Sequence, residues 1–160
     1  MRITANRLAS ISPTWQDWVP VWTTSTGAAL PTLGDATVEA RYAVAARTVH
    51  FRLNIVFGAA TNFGAGTTTG DNWRFSLPVP AFAPAIGIGS GEIQDTSAGI
   101  GSRMAVRVRL ENTTELSLEM SGPRIDGGAV AGVGLVDSLS PWTWAATDTL
   151  RLWGEYEAAA

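Results

Sequence analysis

Along most of the chain, polar and apolar residues alternate with a period of two. In residues 48–57, Val49, Phe51, Leu53, Ile55 and Phe57 fall on one side, and Thr48, His50, Arg52 and Asn54 fall on the other. That spacing belongs to a strand with one buried face. Residues 103–111 repeat it, with Met104, Val106, Val108 and Leu110 inward and Arg103, Arg107 and Arg109 outward. In the run that follows, Leu116, Leu118 and Met120 alternate with Glu115, Ser117 and Glu119. These two runs predict a hairpin whose register follows from its faces. A two-residue Asn112-Thr113 loop would set Arg109 against Leu116. A three-residue loop keeps leucine opposite leucine and brings Arg107 or Arg109 opposite a glutamate, so the longer loop is expected. On this reading the arginine stripe supplies cross-strand partners rather than a polyanion site.

Further strands are expected at residues 18–24, 37–44, 72–77, 86–94, 130–136 and 149–156, separated by turns rich in Gly, Pro, Asn or Thr. Sustained helical periodicity is absent after Trp15. The pattern predicts an all-β domain, a two-sheet antiparallel sandwich of jelly-roll kind. Trp73 and Phe75 share a face with Leu77 and are expected in its core. Ahead of it, Ile3, Arg7, Leu8 and Ile11 can share one side of a short helix that Pro13 stops. Residues 1–14 are therefore expected to form an attachment arm on a β-sandwich domain spanning residues 15–160. The arm lacks the apolar centre of a secretory signal, and no window approaches the roughly 20 apolar residues of a membrane span. Neither secretion nor membrane insertion is expected.

Composition narrows the chemistry. A chain of 160 residues fits one domain, and a net charge of -3 implies no nucleic-acid partner. All 11 basic residues are arginine, and Ala, Gly, Thr and Val are abundant, as GC-rich codons would supply. A high-GC bacterium or its virus is the expected source. Cysteine is absent and His50 is the sole histidine, which removes thiolate chemistry and any site needing two imidazoles. The glycine-rich residues 58–71 lack the Gly-Lys-Ser/Thr ending of a phosphate loop and read as a long hairpin loop. Residues 87–91 lack the spacing of a dinucleotide site. Glu115 with Glu119, and Glu155 with Glu157, share strand faces at a spacing ordinary for solvated sheet, and Asp71, Asp126 and Asp137 form no calcium-loop series. No catalytic residue, metal or cofactor is expected, and the protein is not expected to be an enzyme.

The seven tryptophans point instead to recognition, because indole combines a large flat face with one donor. Pro20 interrupts the segment around Trp15, Trp18 and Trp22 and assigns it to a sheet edge or a crossing between subunits. In the last strand, Trp153 lies on the nominally polar face with Arg151 and Glu155. Trp18, Trp22, Trp142, Trp144 and Trp153 are the candidate subunit-interface or ligand contacts.

Several stretches read together carry a resemblance. They are Trp18-Val-Pro-Val-Trp22, then Leu30-Pro-Thr-Leu-Gly-Asp-Ala-Thr-Val-Glu-Ala-Arg-Tyr42, Phe63-Gly-Ala-Gly with Asn72-Trp-Arg-Phe-Ser-Leu-Pro78, and Trp142-Thr-Trp-Ala-Ala-Thr-Asp-Thr-Leu leading to Gly154-Glu-Tyr-Glu157. Over residues 15–157 the chain resembles a family of virion and minor tail protein domains carried by tailed bacteriophages and prophages of actinobacteria. The family's Leu-Gly-Asn-Gly-Thr turn appears here with Gly34-Asp-Ala-Thr37, and its glycine before the arginine is Ala40. The resemblance implies a surface-exposed, jelly-roll-like virion protein, assembled in the host cytoplasm, without catalytic residues and similar to trimeric fibre heads. A homotrimer at the tail tip, contacting a host-surface glycan, is the leading expectation. A capsid decoration protein whose arm lies on the major capsid protein is the alternative, and a bacterial carbohydrate-binding module is a further one.

Overall fold

A computed structural model describes residues 13–64, 71–84, 86–130 and 134–160. The arm candidates Ile3, Arg7, Leu8 and Ile11 lie outside the described residues. The described residues form nine strands: β1 (Gln16–Asp17), β2 (Trp22–Thr24), β3 (Thr37–Ala45), β4 (Thr48–Val56), β5 (Trp73–Ser76), β6 (Gly87–Gln94), β7 (Arg103–Leu110), β8 (Glu115–Arg124) and β9 (Thr149–Glu157). Two short 3-10 turns, Thr96–Ala98 and Ile100–Ser102, link β6 to β7. The domain is all-β, as the alternation predicts. Its layers are continuous as one antiparallel sheet, ordered β1-β3-β4-β9-β6-β7-β8-β5-β2, which curls into a half-barrel.

The curl follows from where the apolar side chains meet. Trp22 on the β2 edge stacks against Phe75 at 5.6 Å and also against Phe57, just past β4, at 5.6 Å. Strands distant in the sheet therefore share one core. Trp73 meets Trp22 edge-on at 4.7 Å and Trp144 at 4.8 Å, and Phe63 stacks on Trp73 at 6.2 Å. Under the other half, Phe51 lies between Trp18 at 6.4 Å and Tyr156 at 6.1 Å. The Tyr156 hydroxyl donates to the Val79 carbonyl at 2.6 Å and accepts from the Val79 amide at 3.3 Å. Burial, which disfavours the phenolate, outweighs that amide and pushes the phenol up to about 12.

The β7–β8 hairpin takes the expected three-residue loop. Leu110 pairs with Leu116, Val108 with Leu118 and Arg107 with Glu119, and the Glu111 amide donates to the Glu115 carbonyl at 3.0 Å. The Asn112 side chain sets the turn, accepting from the amides of Thr114 and Glu115, both at 2.8 Å. The arginine stripe is cross-strand as expected: Arg107 is paired with Glu119, and its Nε donates to that carboxylate at 2.6 Å.

Three expectations are corrected. Residues 18–24 do not form one strand. β1 and β2 lie at opposite edges of the sheet and residues 18–21 cross between them, which Pro20 permits because it has no amide to pair. The glycine-rich residues 58–71 are not a hairpin loop, because they connect β4 to β5, which are not neighbours; residues 65–70 lie outside the described residues. Residues 130–136 form no strand among those described. They contribute an isolated bridge between Leu135 and Glu119, flanked by backbone bonds from Met120 to Gly134 and from Val136 to Leu118.

Candidate functional site

The five candidate tryptophans separate by burial. Trp22, Trp142 and Trp144 are buried, and Trp18 is partly buried against Phe51. Trp144 also donates its indole N–H to the Asp137 carbonyl at 2.9 Å. Trp22 stacks on Phe75 at 5.6 Å, Trp144 meets Trp73 at 4.8 Å, and Trp142 meets Trp144 at 5.3 Å, so these three indoles pack against other rings of the core. Trp153 differs, remaining 51% exposed on the outer face of β9, in the middle of the sheet.

Neighbouring strands surround Trp153 with specific partners. It pairs across β4 with Arg52 and across β6 with Ser90. Two residues on, Glu155 faces His50, and its carboxylate lies 3.2 Å from the imidazole Nδ1. Trp15, 40% exposed just ahead of β1, lies against the Arg52 guanidinium, whose carbon sits 5.3 Å from the ring centroid. The Arg52 guanidinium also bonds the Glu39 carboxylate at 2.8 Å. A shallow depression of about 480 Å³ lies beside them, lined by Trp15, His50, Ser90, Trp153 and Glu155 among others. A second depression, of about 330 Å³, lies past Trp153 and is lined by Ser90, Glu92, Ala105, Ser121, Pro123 and Ile125. Trp153 and Ser90 border both.

Much of the described outer face beyond these depressions is ionic. Arg109 lies 3.8 Å from Glu119 and 3.9 Å from Glu111, and Arg74 lies 3.9 Å from Glu111 and 3.4 Å from Glu115. Glu92 lies between Arg151 at 3.1 Å and Arg103 at 3.7 Å. Partly exposed pairs of this sort add little stability each. Their consequence for the site is that its neighbourhood carries little uncompensated charge. Trp15, Ser90 and the His50–Glu155 pair are the site residues that sequence reasoning missed.

Two of the buried aspartates, Asp71 and Asp148, act on the fold. Burial of Asp71 opposes ionisation, but the Thr26 hydroxyl and amide, at 2.7 Å and 2.9 Å, help hold its pKa below the ordinary 3.8. Asp148 shifts the other way. Its burial, with Asp95 nearby, outweighs amide bonds from Ala145 and Thr96, both at 2.9 Å, and raises its pKa above 3.8. The signs follow from proton uptake. Between 3.8 and the raised pKa of Asp148 the folded chain holds more proton than the unfolded chain, so Asp148 adds stability as pH falls through that window. Below 3.8 the unfolded chain protonates ahead of folded Asp71, and stability is lost as pH falls toward the Asp71 pKa. A thermal-melting series against pH is expected to show both trends, with Asp148→Asn flattening the first and Asp71→Asn the second. Unchanged slopes in the variants would remove these two groups as the cause.

No described helix is long and apolar enough to cross a membrane, and the described residues contain no group of three or more metal-ligating side chains. Compared with models of known protein families, with curated proteins and with solved structures, the chain finds no match.

Proposed function

We propose that the chain is a non-catalytic structural protein of a tailed-phage particle with a high-GC host. In this reading it is a homotrimeric β-domain at the tail tip that turns its Trp15–Trp153 face toward the bacterial surface. The observation that carries the recognition role is the exposed indole of Trp153 at the centre of a sheet face that carries many ion pairs, with Trp15 across the depression beside it. A large aromatic left in water at the middle of a strand adds nothing to the core and is suited to contact with a partner. Support for the virion comes from the sequence resemblance across residues 15–157, and support for the trimer comes from the same resemblance and from the need to cover sheet edges.

Antibody to the chain, applied to intact phage from a high-GC host and viewed by electron microscopy, tests the location. Label confined to the tail end supports the proposal. Label over the head makes the protein a decoration component and overturns the tail-tip reading, and particles without label overturn the virion reading. A monomeric mass by sedimentation of the folded protein would overturn the trimer.

A further inference from the structure

We infer that the depression between Trp15 and Trp153 is a binding site for a neutral saccharide, a sugar ring lying against one or both indoles and its hydroxyls meeting Glu155, His50 and Ser90. The inference deepens the recognition role proposed above and rests on it only for the biological setting.

Three features of the site select this ligand class. Tryptophan side chains line it, with Trp15 on the segment leading into β1 and Trp153 on β9. Flat apolar walls of this kind suit a ligand that has apolar C–H faces of its own. The polar groups among them are compact and mixed: the Glu155 carboxylate accepts, the Ser90 hydroxyl donates and accepts, and the His50 imidazole lies within 3.2 Å of the carboxylate. Alternating donors and acceptors beside an aromatic wall match a ring that carries several hydroxyls. Finally, the Arg52 charge is compensated locally by Glu39 at 2.8 Å, and the Glu155 carboxylate already has His50 Nδ1 at 3.2 Å. A polyanion finds no free cation cluster among these residues, and a cationic ligand would compete with His50 for Glu155.

Chain length follows from the second depression. Because Trp153 and Ser90 border both hollows, a ligand seated beside Trp15 can continue past Trp153 toward Ser121 and Pro123. An oligosaccharide is expected to bind more tightly than its monosaccharide.

Electrophoresis of the purified protein through native gels containing soluble arabinogalactan, galactomannan, xylan or dextran provides the test. Gels containing heparin or a polyproline peptide probe the competing occupants. Retardation by at least one neutral polysaccharide is expected, with Trp153→Ala weakening it about tenfold or more, the equivalent of one stacking contact. Glu155→Gln, which keeps the size of the side chain and removes its charge, is expected to weaken retention several-fold while leaving the melting temperature in place. Trp15→Ala, expected to weaken retention as well, gives a third readout from outside the central strands. Absence of retardation in all four polysaccharides overturns the inference. So does retention that survives Trp153→Ala, or retention by heparin or polyproline alone. Particle labelling and saccharide retention are independent readouts. Label at the tail without retention would remove the sugar and keep the virion role, and retention without label would do the reverse.

Discussion

Trp73→Ala is expected to destabilise the domain by about 3–5 kcal/mol, the range for removing a fully buried large aromatic. The size of the loss follows from position. Trp73 begins β5, is fully buried, and touches rings from several parts of the chain: Trp22 at 4.7 Å, Trp144 at 4.8 Å, Phe57 at 6.1 Å and Phe63 at 6.2 Å. These rings come from the β2 edge, from the end of β4 and from the connections that follow β4 and precede β9. Truncating Trp73 therefore opens a cavity where the two halves of the curled sheet meet, and the surrounding backbone, held in ladders, can collapse only partly into it. Its indole N–H is buried with no hydrogen-bond partner, so Trp73→Phe sacrifices volume without breaking a polar contact and is expected to cost less than the alanine. Urea titration of both variants checks this ordering, with a lowered midpoint and an unchanged slope for each. A loss below about 1 kcal/mol for the alanine would mean that the aromatic cluster is not what closes the sheet.

Elements that depend on residues close in sequence are legible in the chain's own pattern. The β7–β8 hairpin joins consecutive strands, and its alternation fixes both face and register. The same alternation places each end of β5 to within a residue. The docking of β9 between β4 and β6 is not legible, because it pairs Phe51 with Gly154 and Ile93 with Leu150, residues whose separation no local pattern encodes. The candidate site falls on that blind side. Parity alone puts Trp153 on the polar face, but only the β4–β9–β6 adjacency brings it beside Arg52, Ser90 and the His50–Glu155 pair.

The tryptophans show where the same kind of signal is silent. Trp142 and Trp144 sit in a Ser-, Pro- and Thr-rich stretch that pairs with no strand, so alternation there says nothing about a buried side. In the fold the stretch is drawn inward, by the Trp144 indole donating to Asp137 and by ring contacts to Phe57 and Trp73. Trp22 is ambiguous in sequence because Pro20 separates it from any regular strand. Once β2 pairs with β5, its residue facing Phe75 has only the core to enter. An aromatic excess in a β-domain therefore divides by pairing rather than by count, and here it leaves Trp153 and Trp15 outermost.

The second large effect is expected at the glycine pair joining β6 to β9. Gly89 and Gly154 face each other across the ladder. A Cβ on Gly154 would lie 2.2 Å from the Ile88 carbonyl oxygen and 2.8 Å from the Gly89 Cα. One on Gly89 would lie 2.1 Å from the Trp153 carbonyl oxygen. Those neighbours are backbone, so no side-chain rotation relieves the clash and the strands must part in the middle of the sheet. Gly154→Ala and Gly89→Ala are each expected to cost about 3 kcal/mol, the upper end of the overpacking range, and the pair together less than the sum because the same strand separation serves both. Gly122 in β8 is the control. A Cβ there meets nothing within 4 Å, and Gly122→Ala is expected to be neutral or to stabilise by up to about 1 kcal/mol by restricting the unfolded chain. Because Trp153 and Ser90 are the neighbours of this glycine pair, the same strand separation reaches the outer face, and saccharide retention is expected to fall in Gly154→Ala but not in Gly122→Ala. A Gly154→Ala protein as stable as the parent would show that β6 and β9 are not held at the close approach on which the Trp153 site is built.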